Sequence, residues 1–98
     1  MPRRVLLVGL RGVVVDEAQT QLNLPDLDVV GCTSVVEVRS ALDAGPVDTV
    51  IIGGGLDLPV RLEMVREVLS RSDTATVHLK DHASGSAGFL PFAKSVLS

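Results

Sequence analysis

Val47-Asp48-Thr49-Val50-Ile51-Ile52-Gly53-Gly54-Gly55-Leu56-Asp57 is the stretch whose reading decides the fold. Asp48 to Ile52 is short, β-branched and apolar without alternation, as expected of a strand covered on both faces. Three glycines end it. Asp57-Leu58-Pro59 then opens a helix, with Asp57 at the N-cap and Pro59 in the first turn, where its missing N–H costs nothing. A buried strand running through a glycine turn into a helix is the unit of an open α/β sheet. Such sheets meet ligands and partners beyond the carboxyl ends of their strands.

The flanking sequence repeats this unit. Upstream, Val5-Leu6-Leu7-Val8 is an apolar run closed by Gly9, and Gly12 completes the turn. Val14, Val15, Ala18 and Leu22 then lie on one helix face, and Asn23-Leu24-Pro25-Asp26 stops that helix. Asp28 to Thr33 reads as a second strand, placed at the sheet edge because Gly31 weakens it. Ser34-Val35-Val36-Glu37 has the pattern of a capping box, in which the Ser hydroxyl and the Glu carboxylate each accept the other residue's N–H. The helix it opens buries Val35, Val38, Ala41 and Leu42. Ala44-Gly45-Pro46 ends it, with Gly45 expected in the left-handed conformation.

Downstream of Asp57, Leu62, Val65, Val68 and Leu69 are expected to form the buried stripe of the third helix. Ala75 to Leu79 is a fourth strand, Asp81 to Gly88 a polar, glycine-rich loop, and Phe89 to Leu97 a last short helix. Four β-α units with short links and right-handed crossovers predict an α/β three-layer sandwich. It has a four-stranded parallel sheet, order 2-1-3-4, with helices on both faces. Residues 1–98 are read as one domain, because a chain of 98 residues is too short for two.

Composition narrows the function. Net charge is −3 and only Arg3 and Arg4 are adjacent cations, so the basic stripe that nucleic acid requires is missing. Aromatics are 2% of the chain, which removes stacking platforms as well. No apolar run approaches the ~20 residues of a membrane span, and the N-terminal apolar stretch is too short for a signal peptide. The single Cys32 forms no internal disulfide. A cytoplasmic protein without membrane or nucleic-acid partners is the expectation.

Three constellations invite a site. Gly53, Gly54 and Gly55 precede a helix N-terminus, where backbone N–H groups and the helix dipole suit an anion. Asp57 at the same end opposes one, and the Lys-Ser/Thr pair of a P-loop is missing. Gly9-Leu10-Arg11-Gly12 falls short of a dinucleotide fingerprint, since Arg11 stands where the middle glycine is needed. It leaves Gly9, Arg11 and Gly12 as anion contacts near Gly53 on the same edge. Finally, His78, Lys80, Asp81 and His82 cluster at the end of the fourth strand. Their spacing matches no metal motif, and solvated strand-end groups explain them.

Val47 to Ile52 is also similar to the third strand of response-regulator receiver domains of the flavodoxin-like class, and Lys80 matches that family's lysine at the end of a late strand. The resemblance covers about the first 70 residues. It implies a signalling domain of receiver-like shape, though with one β-α unit fewer than the usual five. Receivers carry the phosphate-accepting Asp where this chain has Gly53, and a magnesium-binding acidic pair where it has Gly9 and Leu10. Phosphoryl chemistry is therefore not implied.

The functional expectation is a non-catalytic regulatory or protein-interaction domain, with no cofactor, metal or catalytic residue. The alternative is a phosphate or nucleotide binder that uses Gly9, Arg11, Gly12, Gly53, Gly54, Gly55 and Lys80. A mean hydropathy of +0.39 is high for a small domain and predicts an apolar patch seeking cover. The expected partner is a second copy or another protein, met through strand four and the last helix with Phe89, Leu90 and Phe92.

Overall fold

Side chains alternate across a strand, so each central strand of a covered sheet feeds two cores. The computed structural model describes residues 3–10, 12–22, 24–81 and 85–97 and has this arrangement. Strands β1 (Arg3–Val8), β2 (Leu27–Cys32), β3 (Thr49–Ile52) and β4 (Thr76–Leu79) form one sheet in the order β2-β1-β3-β4. All three pairings are parallel, with Leu6 opposite Val30 and Val50, and Ile51 opposite His78. Helices α1 (Gly12–Gln21), α2 (Val35–Ala44), α3 (Leu58–Arg71) and α4 (Phe89–Leu97) alternate with the strands.

Leu6, Val8, Val50 and Ile52 pack with Cys32, Val38, Ala41, Met64 and Val68, so α2 and α3 share one face. Val5, Leu7 and Ile51 pack with Val15, Ala18, Leu22, Phe89 and Ala93, so α1 and α4 share the other. The parallel sheet, its strand order and the two covered faces are those expected from the β-α repeat. β2 lies at one edge, and β4 forms the other.

Gly31 has a packing reason that the sequence did not disclose. A Cβ there would stand 2.5 Å from Val15 Cγ1, and one at Gly9 would stand 2.9 Å from Val15 Cγ2. The two glycines therefore leave the room in which Val15 seats α1 on the sheet.

Four local expectations are corrected. Ser34 Oγ accepts from Glu37 N at 3.2 Å, but the Glu37 carboxylate turns one residue further back. It accepts from Thr33 N at 2.9 Å and Thr33 Oγ at 2.6 Å. These bonds hold the Glu37 carboxyl below its usual range, the hydroxyl contributing most. Gly45 is extended, with φ 164°, rather than left-handed. Asp57 occupies the N-cap of α3, yet its side chain makes no capping bond.

The fourth correction concerns the phase of α3. Met64 and Val68 are its buried residues, with Val65 partly buried. Leu62 and Leu69 are instead 54% and 58% exposed. Met64 and Val68 pack into the core, and the adjoining face of α3 makes ion pairs with α2. Glu67 accepts from Arg39 at 3.0 Å and from Arg71 at 3.2 Å, and Arg71 also pairs with Asp43. The hydrogen bond from Arg39, then that from Arg71, keeps the Glu67 carboxyl below its usual range.

Cys32 is fully enclosed at the end of β2, and burial pushes its thiol up to about 11 from 9.0. Nearby Glu37 pushes the same way, and Arg4 opposes both. Below pH 9 the thiol keeps its proton in both folded and unfolded chains, so stability is independent of this group. Between about pH 9 and 11 the unfolded chain ionises first, and stability falls as pH rises, by on the order of 2–3 kcal/mol. Urea denaturation across this window should show that loss in the wild type. Cys32→Val should lack it, and equal slopes would refute the assignment.

Candidate functional site

The carboxyl ends of β1, β3 and β4 form the rim on which the sequence placed a ligand. Their glycine N–H groups are engaged by neighbouring strands. Gly9 N donates to Cys32 O at 3.1 Å, and Gly53 N donates to Val8 O at 2.7 Å. An anion cradle needs such groups turned outward together, and these two point along the sheet.

Above Gly53 lies an aromatic ring. Phe89, 3% exposed, stands so close that a Cβ on Gly53 would lie 3.3 Å from its Cδ1 and 3.4 Å from Val8 O. The space over Gly53 is thus the seat of a core side chain. Gly53 and Gly54 are buried, and Gly55 is exposed beside Leu10, whose Cβ is 3.7 Å from an added Cβ. Among the described residues only Gly85 has a φ in the left-handed region, 68°. Room for neighbours, rather than left-handed backbone, is therefore what Gly53 provides. Gly12 begins α1 with open space around it. Arg11 lies outside the described residues.

Lys80 is 3% exposed at the end of β4. Its Nζ donates to Asp81 O at 3.0 Å and stands 3.9 Å from Asp81 Oδ1. Arg61 comes up from the first turns of α3 and donates from a guanidinium NH to Lys80 O at 3.0 Å. The two cations therefore hold the backbone where β4 ends. Arg61 was not singled out from the sequence, although a signal existed: it occupies the same helical phase as Met64 and Val68. His78 shares the Lys80 side of β4 and lies 3.2 Å from Thr76 Oγ. His82 lies outside the described residues. No group of three His, Cys, Asp or Glu among the described residues is placed to hold a metal ion.

Of the expected interface residues, Phe89 belongs to the core, while Leu90 and Phe92 are half-buried against the same cluster. Exposed large apolar side chains lie elsewhere, among them a set on α3 and β4. Leu58, Leu62 and Leu69 on α3 are each more than half exposed, and Leu79 on β4 is 43% exposed. At about 100° per residue these α3 leucines fall in one narrow stripe, with Val65 at its margin. Glu63, Glu67 and Arg71 face α2, so the stripe looks the other way, past the β4 edge. Leu79 pairs in register with Ile52 and so lies on the α3 face of the sheet.

No described helix is long and apolar enough to cross a membrane. Comparison with family models, curated proteins and solved structures finds no match.

Proposed function

We propose that this chain is a non-catalytic protein-interaction domain of receiver-like shape, with a regulatory role, docking through the edge formed by α3 and β4. One observation carries this reading. The leucine stripe of α3 and Leu79 together expose apolar surface beside β4, an edge strand among the described residues, where a five-unit fold would place another β-α unit. Contiguous apolar surface next to an edge strand is a common mark of association sites. The filled rim supports the same reading, because Phe89 occupies the space over Gly53 and the Gly9 and Gly53 amides already have acceptors.

An amide chemical-shift titration with inorganic phosphate, nucleotides and zinc tests it. The expected result is no saturable change at Gly9, Gly12, Gly53 to Gly55, His78 or Lys80. Saturable shifts confined to the glycine turns would instead establish the phosphate or nucleotide reading. Shifts at His78 with zinc would point to a metal site.

A further inference from the structure

We infer that the occupant of the α3–β4 edge is a second copy of this chain, joined about a two-fold axis that passes beside His78. This inference rests on the docking edge proposed above and adds its partner.

The first argument is the strand itself. Thr76 N donates to Asp48 O and Lys80 N donates to Ile52 O, so residues 76, 78 and 80 face β3. In a parallel ladder the backbone groups of the alternate residues, Val77 and Leu79, then point off the sheet. An antiparallel copy of β4 meets them in a register that sets Val77 against Leu79 of the copy and Leu79 against its Val77. Each pair exchanges two backbone hydrogen bonds, and both apolar side chains stay on the α3 face. Edge strands usually carry a charge, a proline or a bulge against such pairing. β4 is Thr-Val-His-Leu and has neither charge nor proline, whereas β2, at the other edge, carries Asp28 and Gly31.

The second argument is the helix. α3 packs over β3 and β4, with Met64 and Val68 in the cluster that includes Val50, Ile52 and Val77. Strands stand about 4.8 Å apart, so joining two β4 strands leaves the two α3 axes roughly 10 Å apart, the usual spacing of packed helices. Leu58, Leu62, Val65 and Leu69 have spacings that read the same in both directions. Across a two-fold axis Leu58 meets Leu69 of the copy, and Leu62 meets its Val65. Isologous contacts require this self-matching. In this register Arg66, at the flank of the stripe, is level with Arg61 of the copy, which lies in the sheet-facing phase of Met64 and Val68 and donates to Lys80 O. A single occupant thus satisfies the strand edge and the leucine stripe together.

At the axis His78 faces its own copy at a non-hydrogen-bonded site, where Cα atoms lie about 4.5 Å apart, within disulfide range. Two measurements test this. Sedimentation of the full chain at micromolar concentration should give twice the 10.3 kDa chain mass, and Leu62→Glu with Leu69→Glu should weaken association at least tenfold. His78→Cys should form a disulfide-linked dimer on mild oxidation. Thr76→Cys, which faces Lys80 of the copy, should not, and the enclosed Cys32 stays silent.

A monomer at all concentrations overturns the inference. So does a dimer indifferent to the leucine changes, or one in which Thr76→Cys cross-links as readily as His78→Cys. A monomer that binds a different protein in a Leu62-dependent manner overturns the second copy and leaves the docking edge in place. A monomer with no Leu62-dependent association removes both.

Discussion

Gly53→Asp is expected to destabilise the protein by about 2–4 kcal/mol and to leave it inert towards phosphoryl donors. The substitution places a carboxylate where the resemblance to receivers would put a phosphate acceptor. Here the new Cβ would begin 3.3 Å from the Phe89 ring and 3.4 Å from Val8 O. The ring is part of the core, so it has little freedom to withdraw. The carboxylate would enter a space bounded by an aromatic ring and a carbonyl oxygen, neither of which compensates its charge. Gly9 and Leu10 supply no carboxylate to hold magnesium. Urea denaturation would record the loss as a lower midpoint at unchanged slope. A variant as stable as the wild type that gains phosphoryl mass from acetyl phosphate would overturn this account of the rim.

Phe89→Ala is expected to cost about 3–5 kcal/mol, the usual range for removing a buried phenyl ring. Domains of this size have about 5–15 kcal/mol in total. Thermal denaturation should therefore fall by roughly 10 °C or more. The ring joins α4 to Val5, Leu7 and Ile51 and closes the end of the sheet over Gly53. Its removal should also make Gly53→Asp less harmful, since the two sites are in contact and neighbouring changes do not add. A double-mutant cycle reads that coupling directly. A drop of less than about 1 kcal/mol for Phe89→Ala would mean that the ring lies at the surface, in the interface expected of the last helix.

The architecture was legible because it depends on local signals that recur. Apolar β-branched runs, glycine turns and helix stops gave four β-α units, and the handedness of crossovers then left one economical topology. The site was legible in part. His78 and Lys80 do share one side of β4, and strand four does form an edge. The rim was misjudged because glycine has two uses that sequence does not separate. It frees the backbone, or it makes room for a neighbour. At Gly53 the neighbour is Phe89, 36 positions downstream, and no local pattern connects them.

α3 marks the boundary most clearly. Its sequence has apolar residues on two adjoining stripes, Met64 and Val68 on one, Leu58, Leu62 and Leu69 on the other. Periodicity alone determined that these residues form a helix and that the helix has an apolar side. Which stripe turns inward was decided by tertiary structure, where Met64 and Val68 pack with Val38, Val50 and Ile52 while Glu67 and Arg71 pair with α2 and Arg61 reaches the end of β4. The physical reason is that helix propensity and spacing act within one segment, whereas rotation about the helix axis is set by neighbours distant in the chain.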